Sequence, residues 1–163
     1  DYININENSD PLQTGFIKRD IDGGLSEYDW QLEAGIRMNS HSRNAEMDWG
    51  TYLGVVDNNK SILLLIANDN VGFMASDRRS FVNNSSVAFD SSSGFCNYYI
   101  DKIGGYVNLY LNDKSIPVMS IPYDDFGLWS GPTDTLFFGL SSAIGTANYD
   151  LSHINVTVRL KAS

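Results

Sequence analysis

The sequence predicts an all-β protein, a two-sheet antiparallel β-sandwich of the jelly-roll type with about eleven strands or more. The first reason is segment 28–38, where apolar residues such as Trp30 and Leu32 alternate with polar ones such as Gln31 and Glu33. Alternation of this length is typical of a strand buried on one side. The second is that turn-forming residues recur at intervals of roughly 8 to 15 residues. The third is that no segment carries a capped apolar stripe of helical period.

The first half of the chain predicts five strands in the following order. Segment 14–18 comes first, and the alternating segment 28–38 follows. A turn of hairpin composition, Asp57-Asn58-Asn59-Lys60, joins the next two strands, and Asn68-Asp69-Asn70 forms the turn before the fifth. These three later strands are 51–56, 61–67 and 71–74.

The second half predicts six more strands. A short one precedes the pair that flanks Ile103-Gly104-Gly105, a hairpin connection. Three further strands close the domain, and the long loop 123–134 between two of them is where we expect function, because long loops of compact domains often carry it. The six strands are 87–89, 96–102, 106–112, 115–121, 136–140 and 151–160.

Composition limits the domain count and the partners. The chain has 163 residues, which fits the single domain 1–163, and 42% hydrophobic residues, enough for a full core. Aromatic residues make up 12%, more than such a core demands, so we expect some to be exposed. The net charge of −9 repels nucleic acid and anionic lipid, and no apolar run is long enough to insert into a membrane.

Cysteine content and the chain start complete this picture. Cys96 has no partner for a disulfide and is expected to be a small buried residue. The chain begins Asp1-Tyr2-Ile3 with neither Met nor a leader. We therefore expect an excised or processed domain, tethered to other domains of a secreted or cell-surface protein.

Several quoted segments together resemble a known superfamily. They are the strand Trp30–Arg37, the segment Trp49–Asp57, the hairpin text VNLYLND at 107–113 and the closing FFGLSS and YDLSHINV at 137–142 and 149–156. Their order resembles the concanavalin A-like superfamily, in particular laminin G-like domains and the carbohydrate-binding modules attached to secreted glycosidases. The resemblance covers about 30–158 and concerns fold more than ligand.

The resemblance also supplies a test for catalysis. Laminarinases and lichenases of this fold place two Glu and an intervening Asp on one face of a strand, as a retaining hydrolase requires. Here Glu46-Met47-Asp48 has the first two carboxylates, but Gly50 or Thr51 stands where the second Glu belongs. His41, expected in a solvated loop, and His153, on the last strand, complete no Ser-His-Asp or zinc pattern. The sequence therefore predicts a protein that is not an enzyme.

The resemblance further implies a structural calcium ion. In related proteins a metal fixes the N-terminal segment to a carboxylate near the start of the last strand. Asp150 occupies that place, and Glu7 is among the acidic residues near the N-terminus. Carboxylate oxygens are the ligands that calcium prefers.

A set of outward-facing aromatic and polar residues is the predicted ligand site. Val107, Leu109 and Leu111 take the core side of their strand, so the residues between them face outward. Rings can stack on the apolar face of a sugar while amides and charges meet its hydroxyls. The alternative is that these tyrosines are cross-strand pairs that only stabilise the sheet. The predicted ligand-binding residues are Glu33, Arg37, Trp49, Tyr99, Tyr106, Asn108, Tyr110 and Trp129.

These observations predict a non-catalytic carbohydrate-binding module whose partner is a polysaccharide or glycan. One alternative is a laminin G-like module that binds protein or mediates adhesion. Another is a glycoside hydrolase or lyase whose site the sequence does not display.

Overall fold

The computed structural model describes residues 1–7, 16–18, 25–43, 49–128, 130, 133–140 and 145–160, without the side chains of 7, 16–18, 27, 140 and 160. Within these residues twelve strands form two antiparallel six-stranded sheets, which confirms the predicted jelly-roll sandwich. In the described part of the chain, no helix is long and apolar enough to cross a membrane.

The first sheet holds six strands in the order β1-β12-β3-β8-β9-β10. They are β1 (Ile3–Glu7), β12 (Ala147–Leu160), β3 (Tyr28–His41), β8 (Cys96–Ile103), β9 (Tyr106–Leu111) and β10 (Met119–Pro122). The second sheet has the order β2-β11-β4-β5-β6-β7. Its strands are β2 (Phe16–Lys18), β11 (Thr135–Leu140), β4 (Thr51–Asp57), β5 (Lys60–Ile66), β6 (Asn70–Phe73) and β7 (Val87–Ala88).

The core lies between the sheets and is built from the alternating apolar positions. Leu32 and Ile36 of β3 meet Leu53 and Leu64 of the second sheet there, and each is buried. A second apolar cluster, which includes Tyr52 and Leu65, occupies the other side of the second sheet. The second sheet is therefore buried on both sides along β4 and β5, whereas the first sheet keeps a polar outer face.

Three of the differences between the predicted and the observed strands have a clear physical reason. Strand β1 was not predicted, because ININE alternates with asparagine and carries a weak apolar signal. The segment predicted as 115–121 becomes a strand only at Met119, since Asp113 caps a turn by accepting a hydrogen bond from Ser115 N at 2.8 Å. The expectation of a solvated loop at His41 is wrong: it ends β3, half-buried, and its Nε2 accepts a hydrogen bond from Asn68 N at 3.1 Å.

A buried polar cluster joins the two sheets at one end of the sandwich. Asp57 of β4 is fully buried and forms an ion pair with Lys102 of β8, which is also buried. Trp30 Nε1 donates to Asp57 Oδ2 at 2.8 Å, and Tyr123 Oη donates to Asp57 Oδ1 at 3.1 Å. Lys102 Nζ donates in addition to Leu25 O at 3.0 Å. Both charges are thereby paired and hydrogen-bonded, which a buried ion pair requires.

Candidate functional site

The outer face of the first sheet carries two rows of polar side chains. Antiparallel register places Glu33 of β3 opposite Asn155 of β12 and opposite Tyr99 of β8, and Tyr99 opposite Tyr110 of β9. A second row, two residues away along each strand, has the same register. The two polar rows are Asn155, Glu33, Tyr99 and Tyr110, and Thr157, Gln31, Asp101 and Asn108. Four strands at the usual spacing span about 14 Å.

A lysine lies over the centre of these polar rows. Lys114, in the turn after β9, is exposed, and its Nζ lies 5.2 Å from the centroid of the Tyr99 ring. The same Nζ donates to Gln31 Oε1 at 3.0 Å. The sequence did not identify Lys114 as a site residue, because only the folded hairpin brings this turn back over β3 and β8.

One carboxyl group and one phenol group in the polar rows, those of Asp101 and Tyr110, have raised pKa values. Asn108 Nδ2 donates to Asp101 Oδ1 at 2.8 Å. Burial nevertheless raises the pKa of Asp101 above its ordinary value, against the effect of that hydrogen bond. Burial and the charge of Asp101 raise the pKa of Tyr110.

A β-bulge places a serine and a histidine next to the polar rows. Leu151 pairs with Ile36 and His153 with Gly35, so Ser152 is the extra residue that stands opposite no residue of β3 in the strand register. His153 Nδ1 lies 2.9 Å from Ser152 Oγ, and His153 Nε2 lies 3.3 Å from Glu33 Oε1. Bulges redirect side chains in this way and occur often beside functional sites.

The bulge depends on the glycine beneath it. A Cβ on Gly35 would lie 2.1 Å from Ser152 Oγ and 2.8 Å from His153 Cε1. Any larger residue at position 35 would therefore push both side chains away. This group was not predicted from the sequence, because Ser152 and His153 are adjacent and an unbroken strand would put them on opposite sides.

Arg37 lies at one end of the outer face of the first sheet. Its Nε donates to Asp150 Oδ2 at 2.9 Å, and its guanidinium carbon lies 4.7 Å from the Phe95 ring centroid and 5.4 Å from that of Tyr2. Hydrogen bonding to Asp150 raises the pKa of Arg37. Burial opposes ionisation of Asp150, but hydrogen bonds from Asn4 and Arg37 outweigh it and lower the pKa of Asp150.

These contacts bear on the predicted calcium ion. Both carboxylate oxygens of Asp150 already accept hydrogen bonds, from Asn4 and from Arg37. The backbone of Glu7 pairs with Ala147, and its side chain lies outside the described residues. Among the residues that the structure describes, no group of three or more His, Cys, Asp or Glu is placed to hold a metal ion. The calcium ion stays a prediction.

The structure brings only some of the predicted ligand-binding residues together. Glu33, Tyr99, Asn108 and Tyr110 share the polar rows, and Arg37 lies at one end of the same face. Tyr106 is at the hairpin end and 51% exposed. Trp49 packs against the second sheet, with the Arg43 guanidinium 4.4 Å from its ring, and so is remote from the tyrosines.

The remaining residues singled out from the sequence do not enlarge this site. Trp129, Glu46 and Asp48 lie outside the described residues. Cys96 is buried as predicted, and burial raises the pKa of its thiol to about 11, which suits a packing role rather than a nucleophile.

Comparison with known proteins gives structural matches only. No protein-family model matches the sequence, and no curated protein is significantly similar. The fold is similar to alginate lyase AlyC3 in complex with dimannuronate (TM-score 0.57, 7% identity, 99% of this chain and 76% of that one). It is similar also to alginate lyase AlgAT5 of polysaccharide lyase family 7 (TM-score 0.51, 9% identity, 82% of this chain). This chain spans 60% of the length of that enzyme.

A third similar structure is a binding domain. The binding domain of botulinum neurotoxin serotype D has a TM-score of 0.50 and 16% identity, with 91% of this chain and 38% of that one covered. Because the identities are so low, these matches establish the fold alone, a jelly-roll sandwich.

Two predictions are nevertheless wrong. The non-catalytic carbohydrate-binding module and the conclusion that the chain is not an enzyme are contradicted by the alginate lyases, which are enzymes with this fold over most of the chain. The physical reason is that the absent second Glu after Glu46-Met47-Asp48 excludes only hydrolysis by a carboxylate pair. Elimination does not need that pair.

Proposed function

We propose that the chain is a polysaccharide lyase that cleaves a uronate-containing glycan on the outer face of the first sheet. The observation that carries this proposal is the placement of Lys114 over Tyr99, with Gln31 accepting a hydrogen bond from the same lysine. The likeness in fold to alginate lyases supports it.

Elimination from a uronate makes three demands. The carboxylate must be neutralised, the proton on the adjacent carbon must be removed, and the leaving glycosidic oxygen must gain a proton. Lys114 and Gln31 supply a cation and an amide for the carboxylate. Tyr99 supplies a hydroxyl group next to them for proton transfer.

Proton transfer is assigned to Tyr99 rather than to His153 on geometric grounds. His153 Nδ1 lies against Ser152 Oγ, and His153 Nε2 is buried 3.3 Å from Glu33 Oε1 without a hydrogen bond, so neither nitrogen is open to a substrate. Asn155 and Tyr110, in the same polar row, offer an amide and a ring to neighbouring sugars.

The test is incubation with a panel of polyuronates, read as the ultraviolet absorbance of the conjugated double bond that elimination creates. Tyr99→Phe should lower turnover by about 10²- to 10⁴-fold, the usual contribution of a positioned acid or base. Lys114→Met should lower it by about 10²- to 10³-fold, as loss of one charge-stabilising donor does.

Tyr2→Phe is the matched control, because it removes a tyrosine hydroxyl from the Arg37 end of the same face. Its turnover should equal that of the wild type. An equal loss in all three variants, or turnover that survives Tyr99→Phe, would remove the assignment.

A further inference from the structure

We propose that Ser152, His153 and Glu33 form a nucleophile–base–carboxylate triad that hydrolyses small acyl esters, of the kind formed by O-acyl groups on glycans. This is a second reaction, chemically separate from elimination. The triad rests on the geometry of the bulge, and only the choice of a glycan ester as its substrate rests on the proposed function.

The order of hydrogen-bonding groups is the first argument. A carboxylate only accepts hydrogen bonds, so the triad assigns the ring proton to Nε2, which faces Glu33 Oε1 at 3.3 Å. That leaves the lone pair on Nδ1, which lies 2.9 Å from Ser152 Oγ and can accept the hydroxyl proton. A nucleophile that bonds to a base, itself oriented by a third group, is the general arrangement for an activated serine.

His153 Nε2 is buried 3.3 Å from Glu33 Oε1 but does not form a hydrogen bond with it in this structure. Such contacts are often loose in a free enzyme and tighten when substrate binds. Ser152 Oγ also lies 3.3 Å from Gly35 O. A hydroxyl has one proton, and the shorter contact, to His153, favours the reactive orientation.

Access is the second argument. Ser152 is exposed, and the side chains of His153 and Glu33 are 36% and 34% exposed. Glu33 belongs to the polar rows, directly opposite Tyr99. A glycan on the outer face would therefore bring its substituents to the serine.

The reaction balances without a cofactor. Ser152 Oγ attacks the carbonyl carbon of the ester while its proton passes to His153 Nδ1, and Glu33 offsets the charge of the imidazolium. The bond from the carbonyl carbon to the alcohol oxygen then breaks, and that oxygen takes the proton from Nδ1. Water repeats the sequence on the acyl-serine, which releases a carboxylic acid and restores Ser152.

The experiment labels the protein with a fluorophosphonate and maps the adduct by peptide mass spectrometry, alongside turnover of 4-nitrophenyl acetate. The expected result is an adduct on Ser152. Turnover should fall by about 10²-fold in both Ser152→Ala and His153→Gln, the lower limit for loss of a positioned base. Ser120→Ala is the matched control, since Ser120 is an exposed serine of β10 in the same sheet and should behave as wild type.

No adduct on Ser152, or turnover equal in wild type and Ser152→Ala, would overturn the triad. The melting temperature of each variant shows that it is folded. Because neither reagent contains a sugar, a negative result leaves the lyase proposal standing, and failure to cleave polyuronates leaves the triad standing.

Discussion

Asp57 shows how one residue can stabilise both sheets. Its two carboxylate oxygens accept hydrogen bonds from Trp30 and Tyr123, and its ion pair with Lys102 crosses from one sheet to the other. Breaking a buried pair is costly because it leaves an uncompensated charge. An exposed pair is different, since water replaces the lost partner.

Lys102→Met should therefore lower the free energy of unfolding by about 3 to 5 kcal/mol, measured by urea denaturation. The control is Asp69→Asn, which removes the exposed Arg43–Asp69 pair and should cost no more than about 1 kcal/mol. The double variant Lys102→Met, Asp57→Leu should regain part of the loss, because it leaves no unpaired charge. Similar costs for Lys102→Met and Asp69→Asn would contradict this view of the cluster.

Asp150 predicts a pH dependence of stability. Its pKa is lowered in the folded protein, so its ionised form contributes stability above the ordinary carboxyl pKa of about 3.9. That contribution disappears as the pH falls through the lower pKa of the folded state. The stability advantage of wild type over Asp150→Asn should be constant near neutral pH and shrink in acid. A stability advantage of wild type over Asp150→Asn that grows on acidification would refute this prediction.

Within the elements, alternation predicted which side chains face outward, but it could not predict the bulge. The pattern in β9 correctly placed Val107 and Leu109 in the core and Tyr110 outside. The extra residue in β12 depends on contacts with Gly35, far away in sequence. Lys114 was missed for a similar reason, because its position over Tyr99 follows from the folded hairpin.

Two glycines in neighbouring sheets test the role of the bulge. A Cβ on Gly54 would lie 2.0 Å from the backbone oxygen of Ile62, which cannot move freely, whereas on Gly35 it meets two side-chain ends. Gly54→Ala should cost about 1 to 3 kcal/mol or more, as overpacking does. Gly35→Ala should cost less, yet displace Ser152 from His153 and reduce fluorophosphonate labelling. Melting temperatures compare the two, and an equal or larger loss in Gly35→Ala would show that the bulge is mainly structural.

At the scale of the whole molecule, the net charge of −9 opposes the approach of a polyuronate. Repulsion between two anions acts over a Debye length, about 30 Å at 0.01 M salt but about 8 Å at 0.15 M. The contact of a carboxylate with Lys114 is much shorter than either. Added salt in this range should therefore raise kcat/KM for the polyuronate. A steady fall in kcat/KM would mean that local attraction dominates.

The fold was predictable from the whole pattern of strands and turns, whereas activity was not. The same sandwich occurs in alginate lyases and in a neurotoxin binding domain, so architecture alone does not decide between them. The missing second Glu after Asp48 excludes one reaction, and its absence was wrongly taken to exclude all catalysis. Lys114 and Tyr99, on which the proposed lyase activity depends, are brought together only by tertiary structure.

The most direct test of the central claim is the mass of the products released from polyuronates by the wild-type protein, compared with Tyr99→Phe. Elimination predicts oligosaccharides that are lighter by one water than hydrolysis products and that absorb in the ultraviolet, with little release by Tyr99→Phe. Products of hydrolytic mass, or a polyuronate that the folded protein binds but does not cleave, would contradict the claim.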